Sequence, residues 1–135
     1  MKFLTAVILT ALLGFALPLF SFMPWWTFAI GSFIVAVLIH QKPWKAFLAG
    51  FAGLFLLWGI QALIIDSSND HILSARIASV LPLGGNGFVL ILLTAFVGGL
   101  VSAFAAVTGS LLRLVFFPAE PVTIRHAEPL EDSVV

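Results

Sequence analysis

The chain has no cysteine and little charge: 6 Lys plus Arg and 6 Asp plus Glu make up 9% of its 135 residues, against ~25% in soluble domains. Without thiols, disulfide frameworks, thiolate metal sites and cysteine nucleophiles are all excluded. The balanced charge offers no basic or acidic excess with which to hold nucleic acid or an acidic substrate. No charged residue follows Lys2 until Lys42, and none lies between Gly87 and Arg113. The rest is apolar, at 61% of residues against a usual ~45–50%. That composition belongs to an integral membrane protein rather than to an ordinary soluble domain.

A hydrocarbon core of ~30 Å takes about 20 helical residues to cross, so the uncharged run from Phe3 to Ile39 is too long for one span and must fold back on itself. Pro18 and Pro24 mark the break, since each removes a backbone donor and resists a continuous helix. Trp25 and Trp26 follow, the residues expected where a chain re-enters through the headgroup layer. The pattern predicts a first span over about 3–20 and a second over about 24–40. A third runs over about 43–65, with Pro43 in its first turn and Lys45 able to snorkel outward. Asp66 to Asp70 (DSSND) reads as a polar stop. Beyond it Leu73, Ile77, Val80 and Leu81 share one helical face, which predicts an amphipathic interfacial helix over about 70–81, capped by Asn69 or Ser68 and ended by Pro82. A fourth span follows the LGGNG loop over about 87–117. The expected fold is thus an all-α integral membrane protein. Residues 1–117 form a four-helix transmembrane domain with one interfacial helix, and residues 118–135, with Pro121, Pro129 and four acids, form a mobile polar tail.

The start of the chain also has the look of a secretory signal, with Met1-Lys2 before an apolar run and a conceivable cleavage after Ala16. The apolar run continues past that point without a polar cleavage region, which favours an uncleaved first span. An even number of spans places both termini on one side, with Lys2, Lys42, Lys45, Arg113 and Arg125, and leaves only Arg76 on the other. The excess of Lys and Arg marks the cytoplasmic side, so both termini are expected there.

Two ridges of small residues run along the fourth span: Thr94, Gly98, Ser102, Ala106 and Ser110, and beside them Ala95, Gly99 and Ala103. The third span carries Ala46 and Gly50, then Ala49 and Gly53. Such ridges let helix backbones approach closely, which matters because lipid gives helices no hydrophobic reason to associate. Gly50, Gly53, Gly98, Gly99, Ser102 and Ala103 are therefore the expected helix-packing residues, within one chain or between copies. The 14 Phe and many Leu fall on other faces, where they meet lipid and fill gaps.

No ionisable residue lies near the midplane of any span, where ion paths and proton relays need one. The polar candidates are Gln61, a turn from the end of the third span, and the cluster Asp66, Asp70 and Arg76. Thr5, Thr10, Thr94, Ser102 and Thr108 can each return a hydroxyl to a carbonyl of their own helix. Asp66, Ser68 and Asp70 have the alternation that opens a calcium loop, but His71 stands where that loop needs glycine and Ile77 where it needs an acid. His40 and His126 fall on the side opposite His71, which rules out a histidine metal site. Ser110 has no base at its depth, and LGGNG fits neither phosphate-binding glycine pattern. Neither a catalytic residue nor a cofactor or metal site emerges.

Three stretches, KAFLAGFAGLFLLWG (45–59), DSSNDHILSARIASVLPLGG (66–85) and GGLVSAFAAVTGSLLR (98–113), together resemble a group of small four-span inner-membrane proteins of Bacteroidetes-type bacteria. The resemblance implies a bacterial cytoplasmic-membrane setting and carries no activity with it. Other small four-span families fit less well. The small multidrug transporters use a membrane-embedded glutamate in their first helix, whereas the first acid here is Asp66. The fluoride channels' polar asparagine and arginine signatures are missing from the first two spans. The sequence therefore points to a non-enzymatic multi-pass protein with the bilayer as its first partner, acting as an accessory, assembly or scaffold component that self-associates or joins a larger membrane complex. The alternative is a small oligomeric channel or transporter for a neutral or apolar solute.

Overall fold

A computed structural model describes residues 1–20, 22, 24, 26–82 and 84–118, and among them all regular structure is helical. Helix α1 spans Lys2–Ala16 and tightens into a 3₁₀ turn over Leu17–Leu19; α2 spans Thr27–Leu38, α3 Pro43–Ser68, α4 Ile72–Val80 and α5 Gly87–Phe116. Three stretches are long and apolar enough to cross a membrane: Lys2–Leu19, Pro43–Ser68 and Gly87–Phe116. The tail expected over 118–135 lies, from Ala119 onward, outside the described residues.

Local chemistry accounts for most helix ends. Pro18 has no N–H with which to continue the α-type ladder, so the chain takes 3₁₀ geometry around it and turns extended at Phe20. Pro43 opens α3 with its fixed φ, and the Asn86 side chain accepts a hydrogen bond from Phe88 N at the start of α5. The Arg113 guanidinium, from the last turn of α5, donates to the carbonyl of Val37 and, at 3.0 Å, to that of Leu38, tying off the end of α2.

Two expected boundaries move. The second span, expected over about 24–40, is helical only over Thr27–Leu38, so at ~1.5 Å per residue it measures ~18 Å. Its first turn is set by Thr27 and Ala29, which donate their backbone N–H groups to the carbonyls of Pro24 and Trp26. The expected polar stop at Asp66 is the other. Helix α3 runs through it to Ser68, whose hydroxyl donates back to Ile64 O at 2.8 Å. The chain turns only at Asp70 and His71, both left-handed with φ of 50° and 59°. In place of the helix expected over 70–81 stands the shorter α4, Ile72–Val80. His71 is its N-cap residue and provides no side-chain cap, so neither Asn69 nor Ser68 fills that role.

The helices pack with small residues inside and large ones outside. One buried cluster joins Ala6, Val35 and Ala49 from α1, α2 and α3; another joins Ala36, Ala46 and Ala106 from α2, α3 and α5. Phe28 and Leu54 are the large side chains that are fully buried, whereas Leu56, Ile60, Ile64, Ile65, Leu92, Phe96 and Phe104 are among many that face outward. A soluble domain distributes these residues the other way round. Packing of this kind suits a lipid surround, where close backbone approach and dispersion hold helices together.

Contacts between helices fix their relative heights. Gln41 Nε2 donates to Lys2 O at 2.8 Å, so the start of α1, the α2–α3 connection and the end of α5 with Arg113 share one end. A Cβ on Gly14 would touch Leu54 and Leu57, and Phe28 packs edge-on against Trp58 with ring centroids 4.8 Å apart. Trp58 lies in turn against Gly98. From that level α3 continues to Ser68, ~15 Å further, and α5 begins ~16 Å away at Gly87. The helical part of the first stretch ends at Leu19 and α2 begins at Thr27, so neither helix reaches those far ends, where α4 packs against α5 and α3.

Candidate functional site

The interior at the level of Ser102 is polar but tightly packed. Ser102 Oγ donates to Gly50 O on α3 at 2.8 Å and lies 2.7 Å from Ser32 Oγ on α2; the Ser32 hydroxyl is also 3.0 Å from Phe28 O. Ser102 does not return its hydroxyl to its own helix, the role expected of it. Thr5, Thr94 and Thr108 do so, donating to Met1, Leu90 and Phe104 carbonyls. The cross-helix bonds follow from Gly50, where a Cβ would stand 2.9 Å from both Ser102 O and Ala106 Cβ. With no side chain in the way, α3 and α5 come close enough for a serine hydroxyl to reach across. Between this node and Gln41 lies a partly open space of about 10 Å³, lined by Thr10, Ser32, Val35, Ala36, Ile39 and Ala49 among others, the size of a single water.

The other packing residues fall on two seams. Gly53 faces α1, where a Cβ would be 3.0 Å from Val7 O. Gly98 is covered by the Trp58 ring and Gly99 by Phe51, and Ala103 is fully buried. Gly31 and Gly109, outside the expected packing set, make contacts just as close. A Cβ on Gly31 would meet Leu13 and Leu17, and one on Gly109 would stand 2.5 Å from Phe33 O. Their signal was the small-residue spacing itself, since Gly109 interrupts a long apolar helix with nothing else to justify it.

At the far end of α3 and α5 the polar candidates separate. The His71 Nδ1–H donates to Asp66 Oδ2 at 2.5 Å, with the imidazole mostly exposed and the carboxylate largely covered. The Ser74 hydroxyl donates to His71 O at 3.1 Å, and Ser74 in turn crowds Gly87, where a Cβ would stand 2.6 Å from its oxygen. Asp66, His71, Ser74 and Gly87 thus join α3, α4 and α5. Arg76 and Asp70 are exposed and lie outside this contact; the carboxylate's partner is His71, not Arg76. Gln61 is half-buried on α3 and makes none of the side-chain hydrogen bonds among the described residues. Nor do three His, Asp or Glu side chains come together there as a ligand set.

The apolar arc of α4 is open to the outside, with Leu73 and Ile77 on the rim of a cleft against α3 and α5. Leu73, Ile77, Val80 and Leu81 are all exposed, while Ser74 and Ala78 form the buried face. Ser74, off the apolar arc, lies inward where Gly87 allows a close approach. Two clefts meet at Asp66. One, of about 190 Å³, lies among α3, α4 and α5 and includes Asn69, Leu73, Ile77 and Thr94. The other, of about 290 Å³, is bounded by Leu63, His71, Ser74 and Phe88, and shares Leu63, Phe88 and Ile91 with a wholly apolar groove of about 190 Å³ between α3 and α5. No family model, no curated protein and no solved structure matches this chain.

Proposed function

We propose that this is a non-enzymatic four-span protein of the bacterial cytoplasmic membrane, with both termini cytoplasmic, serving as an accessory, assembly or scaffold component. The observation that carries the reading is the tightly packed interior. Alanine, glycine and serine contacts hold α1, α2, α3 and α5 close to one another around a space no larger than one water. A single bundle of this kind has no path for a solute, whereas its outer surface is extensive, apolar and uneven, as suits contact with lipid and with other membrane helices. The two-sided distribution of Lys2, Lys42, Lys45 and Arg113 against Asp66, Asp70 and Arg76 supports the orientation. Helix α2, shorter than the other three and followed by the extended Ile39, serves as the fourth crossing. The same reading places the chain beside the small four-span inner-membrane proteins of Bacteroidetes-type bacteria.

The test is purification of the tagged chain from native membranes after mild crosslinking, paired with flux assays on vesicles that contain the purified protein. A stoichiometric partner or a defined self-assembly is expected, with vesicles no leakier to a small neutral solute such as glycerol than empty ones. Glycerol passing much faster through protein-containing vesicles would overturn the scaffold reading in favour of an oligomeric channel.

A further inference from the structure

The groove between α3 and α5 has an apolar body and a polar end. Phe55, Gly59, Leu63 and Ala95 line its body, and at Leu63 and Phe88 it passes into the cleft that holds Asp66, His71 and Ser74. From Asp66 to Phe55 along α3 is ~16 Å, the depth of one leaflet of a ~30 Å hydrocarbon core. Space, length and polarity therefore follow the outline of one acyl chain below one headgroup.

The charge at the polar end selects among headgroups. Asp66 is the carboxylate in the cleft, and an ionised carboxylate accepts hydrogen bonds and donates none. Among the described residues its one close charged partner is His71, held through Nδ1. A carboxylate has more acceptor positions than one imidazole fills. Such an end repels an anionic headgroup and favours one that donates from a positive nitrogen, with a primary ammonium better suited than a quaternary one because it has protons to give.

We propose that this groove is a site for a phospholipid with a primary ammonium in its headgroup, its nitrogen on Asp66 and one acyl chain laid between α3 and α5 past Gly59. The body of the groove explains Gly59, where a Cβ would meet only Ala95 Cβ, at 3.6 Å. Unlike the glycines at the helix seams, Gly59 leaves room open to the outside, and that room is occupied by the chain.

This inference rests on the membrane reading above, and the experiment separates the two. The full chain is purified in detergent; a protein that stays monodisperse after the detergent is removed is not a membrane protein, which defeats the reading before any lipid is added. The detergent-held protein is then mixed with equal amounts of phosphatidylethanolamine, phosphatidylcholine and phosphatidylglycerol of identical acyl chains, and retained lipid is counted by native mass spectrometry. Phosphatidylethanolamine is expected to exceed the others about threefold to fivefold, the scale of one partly exposed charged contact. Asp66→Asn should remove that preference, and Gly59→Leu, which fills the groove without touching the polar end, should lower retention of all three. Equal retention by the wild type, preference for phosphatidylglycerol, or a lipid-free dimer that covers the groove would each overturn the proposal. Should Asp66→Asn fail to fold, Gly59→Leu decides alone, and unchanged retention by that variant overturns it.

Discussion

Gly109 and Gly59 occupy long apolar helices and read alike in sequence, yet their surroundings differ. A Cβ at 109 would be forced to 2.5 Å from the Phe33 carbonyl oxygen, a backbone atom fixed by its own helix, whereas one at 59 would rest 3.6 Å from a methyl group. Gly109→Ala should therefore destabilise the bundle by ~1–3 kcal/mol through overpacking. Gly59→Ala should be neutral or stabilise it by up to ~1 kcal/mol through helix propensity. Thermal melting in detergent, followed by circular dichroism, checks the pair. Gly98, roofed by a tryptophan ring, should follow Gly109 when replaced by Leu, with a loss of the same order; unchanged melting would mean that its seam opens to lipid.

Element boundaries were legible wherever a single residue decides them. Pro43 and the Asn86-Gly87 pair start α3 and α5 at the expected residues, because a missing N–H and a short capping side chain act locally. The end of α3 was not, because Asp66 and Ser68 find partners that keep the helix going: His71 for the carboxylate and the Ile64 carbonyl for the hydroxyl. Polarity alone does not stop a helix when such partners are in reach. The start of α2 was misplaced for a related reason, since Pro24 supplies a carbonyl to the first turn without itself being helical. Of the candidate site, Asp66 was legible as a polar residue at a membrane boundary; its pairing with His71 depends on a left-handed turn that no pattern in DSSND announces. That turn makes its own prediction. Asp70 holds φ at 50°, at a cost of roughly 1–2 kcal/mol for an ordinary residue and less for aspartate. Asp70→Gly should raise stability by about 1 kcal/mol or less, whereas His71→Gly should gain less because it also loses the Asp66 contact. Chemical denaturation of the two variants beside the wild type reads the difference.

For the whole molecule, the hydrogen bonds of Gln41 and Arg113 gather the chain's start, the α2–α3 connection and the end of α5 at one end of the bundle. Because the chain has no cysteine, a single introduced thiol reports one position without background. Lys42→Cys and Pro118→Cys should resist a membrane-impermeant thiol reagent added to intact cells, while Asn69→Cys and Gly84→Cys should react. Labelling of 42 and 69 from the same side would overturn the four-crossing arrangement. The unequal reach of the two halves has a further effect on the surroundings. In the proposed membrane setting, the bilayer meets a tall flank, made by α3 and α5, and a low one, made by helices α1 and α2. Lipid must thin beside the low flank or the molecule must lean, at a cost of fractions of a kcal/mol per Å of misfit. A second protein with a matching low side would relieve that deformation by settling there. The step in height therefore acts as an attraction carried by the membrane itself, directed to one side of the molecule and weakest in bilayers of short-chain lipid.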